Sequence, residues 1–182
     1  MTEMDPREIL KNSTLLAGSG EVEEAVERMA LAINEYYADR EIIFLIVMTG
    51  AVMPAAWLAS KLTMPMQMDF VHATRYAGAT HGGEIEFRVP PRLNLEGRDV
   101  LIIDDIYDIG LTLEMIERYC TSREARSVNS AVLVRKIHDR KTTDRLPRFI
   151  GMEVEDRYLF GCGMDAYEHW RHLDEIRALE GF

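Results

Sequence analysis

The chain has 182 residues, 47% of them apolar and 29% charged, enough for one domain with a full core. Its formal charge of −10 argues against broad nucleic-acid binding, which needs a basic surface. The two cysteines, Cys120 and Cys162, are too few for a disulfide framework and lack metal-ligand spacing, so they read as reduced core thiols of a cytoplasmic protein.

The first residues, MTEMDPREILKN, are charged and lack the apolar centre of a signal peptide. Asp5-Pro6 can open a short helix over 5–11. GSGEVEEAVERMALAINEYYADR is a long amphipathic helix, capped by Ser19 or Gly20. Val22, Ala25, Val26, Met29, Ile33 and Tyr36 form its apolar stripe. Ile42 to Ser60 carries no charge over 19 residues, a length that could cross a membrane. It divides instead into a β-branched strand, Ile42–Met48, and a helix from about Val52 to Leu62 with Pro54 in its first turn. No membrane partner is expected.

MQMDFVHA (66–73) is the next strand. The Gly-rich and polar TRYAGATHGGEIEFRV (74–89) contains a flexible loop and ends in a hairpin-like strand. DVLIIDD (99–105) is a continuous apolar run of the kind buried in parallel sheets. A helix follows from about Gly110 to Ser122, then strands at 128–136 and 148–154. The C-terminal DAYEHWRHLDEIRALE reads as helical. Strands alternating with helices predict an α/β fold with a parallel central sheet. Ligands of such sheets sit beyond the C-terminal strand ends, near the switch in strand order.

One of those ends carries VLIIDDIYDIGLTL. Asp104 and Asp105 close the strand, and Asp108 lies in the turn. Gly110 permits close backbone approach. The amides of Ile109, Gly110, Leu111 and Thr112 open the next helix, where an anion is favoured, and the Thr112 hydroxyl adds a donor. One capping aspartate needs no function. Three carboxylates together repel one another, which favours a ligand with a phosphate and either sugar hydroxyls or a metal.

These residues resemble the phosphoribosyl-diphosphate (PRPP) signature of type I phosphoribosyltransferases, and Asp108 resembles the hypoxanthine-guanine branch. Further matches follow in the family's order. VMTGAVM resembles the loop that grips pyrophosphate, often through a cis peptide, and places Thr49 and Gly50 there. TRYAGATHGG resembles the lid loop, with Arg75 and Tyr76 as its pair. VLVRK ends in Lys136, which matches the lysine at the purine 6-oxo group, with Arg135 the alternative. DRYLFGCGMDAYEHWRHL resembles the C-terminal signature. In it Tyr158 matches the aromatic that stacks on the purine and Leu159 the residue whose backbone meets the base edge. Asp165 matches a magnesium-binding acid and Arg171 an arginine at pyrophosphate.

The resemblance implies one domain over 1–182, with a core of about 20–150. A small hood would come from the N-terminal residues and about 150–182. It implies transfer of ribose 5-phosphate from PRPP to N9 of hypoxanthine or guanine, with Mg2+ at Asp165 and, through water, at Asp104 and Asp105. Asp108 would be the general base, and the enzyme would be a homodimer or homotetramer. Three positions depart from the pattern: Ile109 where Thr or Glu is frequent, Arg75 for a small residue, and Arg135 where bacterial members often have Asp. The alternatives are a transferase for xanthine, adenine or uracil, a non-catalytic regulator on the same fold, and a metal-dependent phosphate hydrolase.

Overall fold

The structure is a computed structural model and describes residues 5–75, 85–140 and 145–181. Its first helix, α1 (Pro6–Lys11), starts where Asp5 accepts the Arg7 amide. Strand β1 (Ser13–Ala17) leads into α2 (Ser19–Tyr37). The α2 cap falls at Gly18 rather than Ser19 or Gly20, because the Glu21 carboxylate reaches back to the Gly18 amide at 2.9 Å. The buried residues of α2 are Val22, Ala25, Val26, Met29, Ala30, Ile33 and Tyr37.

Strand β2 (Ile42–Val47) and helix α3 (Val52–Ala59) divide the uncharged stretch as expected, though α3 stops three residues early. No described helix is long and apolar enough to cross a membrane. Then come β3 (Met66–Arg75), β4 (Ile85–Val89), β5 (Asp99–Tyr107), α4 (Leu111–Ser122), β6 (Ser127–Ile137) and β7 (Phe149–Glu155). They build a six-stranded sheet in the order β4-β3-β2-β5-β6-β7. It is parallel except for the β3–β4 pair.

Helices cover both faces. Asn129 of β6 meets Tyr37 of α2, whereas Ser130, on the opposite side of the strand, donates to Glu117 of α4. Burial from both sides is why the middle of β5 (100–103) and of β6 (131–134) is continuously apolar.

The C-terminal segment is not the expected helix. It forms tight turns with bridges Gly161↔Met164 and Ala166↔His169, then strand β9 (Ile176–Leu179). Tyr167, Glu168 and Trp170 hold positive φ of 52°, 67° and 71°, which no right-handed helix allows. Long-range contacts override helix propensity here. Trp170 Nε1 donates to Pro6 O at 2.9 Å, and β9 pairs with β1 and with β8 (Leu159–Phe160) in a second, three-stranded sheet. Ile9, Phe160, Ala166 and Leu179 form the separate small core beneath it.

Candidate active site

The strand order reverses between β2 and β5: the chain leaves β2 toward β3 and leaves β5 toward β6. That is where an α/β sheet opens a crevice. Here the crevice is also a step. The ladder between β2 and β5 ends at Ile46↔Ile103, while β5 continues beside β6 to Tyr107↔Arg135. Asp104 to Tyr107 therefore overhang β2 and line a cleft of about 620 Å³. Thr49, Gly50, Asp104, Asp105, Asp108, Ile109, Gly110, Thr112 and Arg171 all meet there. The strand runs two residues past Asp105, because β6 goes on pairing where β2 stops.

Asp104 and Asp105 are buried. Burial, and then the neighbouring Asp105 charge, pushes the Asp104 carboxyl well above the usual aspartate value. Burial pushes Asp105 up too, opposed by hydrogen bonding from Asp104 and by the nearby Arg171 charge. Main-chain amides supply part of their solvation: Asp105 N–H donates to Asp104 at 3.0 Å, and Ile106 N–H donates to Asp105 at 2.7 Å.

The loop after β2 carries a cis Met48–Thr49 peptide and lies hard against these acids. A Cβ on Gly50 would sit 2.1 Å from Asp105 Oδ2. A Cβ on Gly163, whose φ is +102°, would sit 1.8 Å from Gly50 O. Three segments distant in sequence thus touch with no space for a side chain.

Gly110 caps α4 with φ +86°, so the helix begins at Leu111, and Thr112 faces the cleft. The first turn of a helix is where backbone amides favour an anion. Across the cleft, Arg171 bonds Gly163 O at 2.9 Å and Asp165 at 2.7 Å. The other Asp165 oxygen accepts the Glu168 amide at 2.8 Å.

Lys136 and Arg135 are both held by acids, Asp156 at 3.6 Å and Glu153 at 2.6 Å. Tyr158 is half-buried against Tyr167, with ring centroids 6.0 Å apart, and Leu159 is buried in β8. Arg75 ends β3, and Tyr76 lies outside the described residues. Sequence reasoning missed His138, whose Nε2 lies 2.7 Å from Asp108 Oδ1, and Arg140 and Asp156, which pair with each other beside it. A lone histidine past a strand end carries no local signal.

Residues 15–169 match the model of the phosphoribosyl transferase domain. The chain belongs to the phosphoribosyltransferase family. It is 31% identical to the hypoxanthine-guanine phosphoribosyltransferase of Staphylococcus epidermidis, over 94% of each chain. It is 28% identical to the hypoxanthine-guanine-xanthine phosphoribosyltransferase of Tritrichomonas foetus, over 91% of each. A crystal structure of a hypoxanthine phosphoribosyltransferase from Staphylococcus aureus superposes with a TM-score of 0.89, covering 98% of this chain and 97% of that one, at 23% identity. The family's fold is that described above: a mostly parallel sheet between helices with a small second sheet.

Proposed function

We propose that the protein transfers the 5-phosphoribosyl group of PRPP to N9 of hypoxanthine or guanine, giving IMP or GMP and pyrophosphate. The observation that carries this reading is the overhang of β5, which sets two buried carboxylates beside a helix N-terminus in one cleft. Sugar hydroxyls can donate to Asp104 and Asp105, and the amides of Ile109 to Thr112 can hold the 5-phosphate. Thr49, Gly50 and Arg171 face the pyrophosphate. As the bond from C1 to the pyrophosphate oxygen breaks, the N9 bond forms, and the N7 proton passes to Asp108. Lys136 donates to the purine 6-oxo group. It is preferred over Arg135 because it pairs with Asp156, the acid that holds Arg140 beside Asp108. Tyr158 stacks on the base and Leu159 meets its edge through the backbone. Arg75 and Tyr76 belong to the lid.

The donor set fits magnesium, which prefers carboxylate oxygens. Asp104 and Asp105 stand as a buried like-charge pair, and Asp165 gains a free oxygen when Arg171 turns to pyrophosphate. When bound, the ion supplies positive charge to the leaving group. The chain divides into a core of about 20–150 and a hood from its two ends. We further assign it to the cytoplasm, in keeping with two buried free thiols, and to a homodimer or homotetramer. The exposed apolar side chains of Val52, Met68 and Phe70 are the face for self-association.

The test is an assay with PRPP and each of hypoxanthine, guanine, xanthine, adenine and uracil, with and without magnesium. Turnover of the 6-oxopurines alone is expected. Phosphate release without a base would favour a hydrolase, and no turnover with any base would end the enzyme reading. Lys136→Ala should raise KM for the purine and relax the 6-oxo requirement. Unchanged purine affinity would move that role to Arg135.

A further inference from the structure

We infer that His138 is a positioning residue for Asp108. The inference rests on the reading of Asp108 as the proton acceptor. The His138 side chain is only 5% exposed, and both ring nitrogens are engaged. Nδ1 accepts the Arg140 amide at 3.1 Å, so the ring proton is on Nε2. That Nε2–H donates to Asp108 Oδ1 at 2.7 Å, which leaves the second carboxylate oxygen for a substrate proton. Asp108 sits in a turn, past the last rung of the ladder between β5 and β6 at Tyr107↔Arg135. The His138 bond extends that pairing through side chains and fixes one rotamer of the acid.

The surrounding charges do not duplicate this role. The Arg140 guanidinium lies 3.8 Å from Asp108 but is paired with Asp156, which also faces Lys136 at 3.6 Å. Asp108, His138 and Asp156 do bring potential ligand atoms within 4.8 Å of one another. The Arg140 guanidinium stands among them and both imidazole nitrogens are taken, so the cluster is built as a hydrogen-bonded clamp and not as a metal site. Lys136 and His138 leave the same strand, so the cation for the purine oxygen and the clamp on the base share one support.

The experiment is a double-mutant cycle on the full chain with PRPP and hypoxanthine. His138→Leu should lower kcat by about 10- to 100-fold, the scale of coupling between contacting residues, with KM for PRPP unchanged. His138→Gln, whose amide can still donate to Asp108, should recover most of the loss. In an Asp108→Asn background His138→Leu should cost nothing further. If His138→Leu does not fold, His138→Asn, whose amide stops short of Asp108, takes its place. A wild-type kcat for the His138 variant, no recovery by Gln, or an equal loss in the Asp108→Asn background overturns the inference. If Asp108→Asn itself keeps wild-type kcat, the base assignment is what fails.

Discussion

Strand β5 carries buried aspartates at both ends, and the two ends are solvated in opposite ways. At its start, Asp99 is gripped by Arg126 at 2.6 Å and 3.0 Å and by the Ser127 hydroxyl at 2.6 Å, with Arg40 at 3.6 Å. The Arg126 hydrogen bonds hold its carboxyl below the usual aspartate value. At the other end, burial holds Asp104 and Asp105 above it. The same side chain on the same strand is a structural fastening where two arginines and a hydroxyl hold it, and a costly buried acid where Arg171 only partly offsets the burial. Perturbation by desolvation in a cleft, beside a specific charge partner, marks a candidate functional site.

The largest expected effect tests whether the far end serves chemistry and not folding. Asp108→Asn should lower kcat by about 100- to 10,000-fold, the usual worth of a general base, and leave the melting temperature unchanged. Early melting would break the contrast. Gly50→Ala should follow, because its Cβ would meet Asp105 Oδ2 at 2.1 Å. A stability loss of about 1–3 kcal/mol and a raised KM for PRPP are expected from urea unfolding and kinetics. At the near end, Asp99→Asn should cost about 1–3 kcal/mol by stripping charged hydrogen bonds, while kcat of the folded enzyme is retained.

The smallest effect has the opposite sign. Asp104→Asn should raise the urea midpoint of the ligand-free protein, because a neutral amide replaces a carboxylate that is costly to bury. The pH dependence separates the two ends. Asp104 has a folded pKa above the ordinary 3.8. It favours folding below that value and loses this contribution as pH rises through the folded pKa. Asp99 has a folded pKa below 3.8, so its contribution is present above 3.8 and lost as pH falls through the folded value. The advantage of Asp104→Asn should therefore be greater at a pH well above 3.8 than at one just above it, whereas Asp99→Asn melts early at both. Equal shifts for both variants at both pH values would show that the two ends are alike.

The parts of the molecule legible in sequence are those with local periodicity. The apolar runs of β2, β5 and β6 and the stripe of α2 declare themselves, and the acids of VLIIDDIYDIG stand where a strand meets a helix. What stayed hidden depends on partners far away in the chain. β1 is short and mostly polar or exposed, and only its pairing with β9 makes it a strand. The C-terminal segment has helical spacing, but Trp170 is held by Pro6 O and β9 by pairing with β1. His138 meets Asp108 across 30 positions, and neither residue alone reports the contact.

The overhang of β5 beyond β2 also acts as a ruler. At about 3.3 Å per residue in a parallel strand, the run from Asp104 to Tyr107 spaces the carboxylate pair from the helix N-terminus along one straight edge. Because side chains alternate, losing one residue there would turn the downstream groups to the opposite face. Losing two would restore the face but draw the helix N-terminus about 7 Å toward the acids. The length of this edge, and not only its residues, thus sets the separation between the buried acids and the start of the helix.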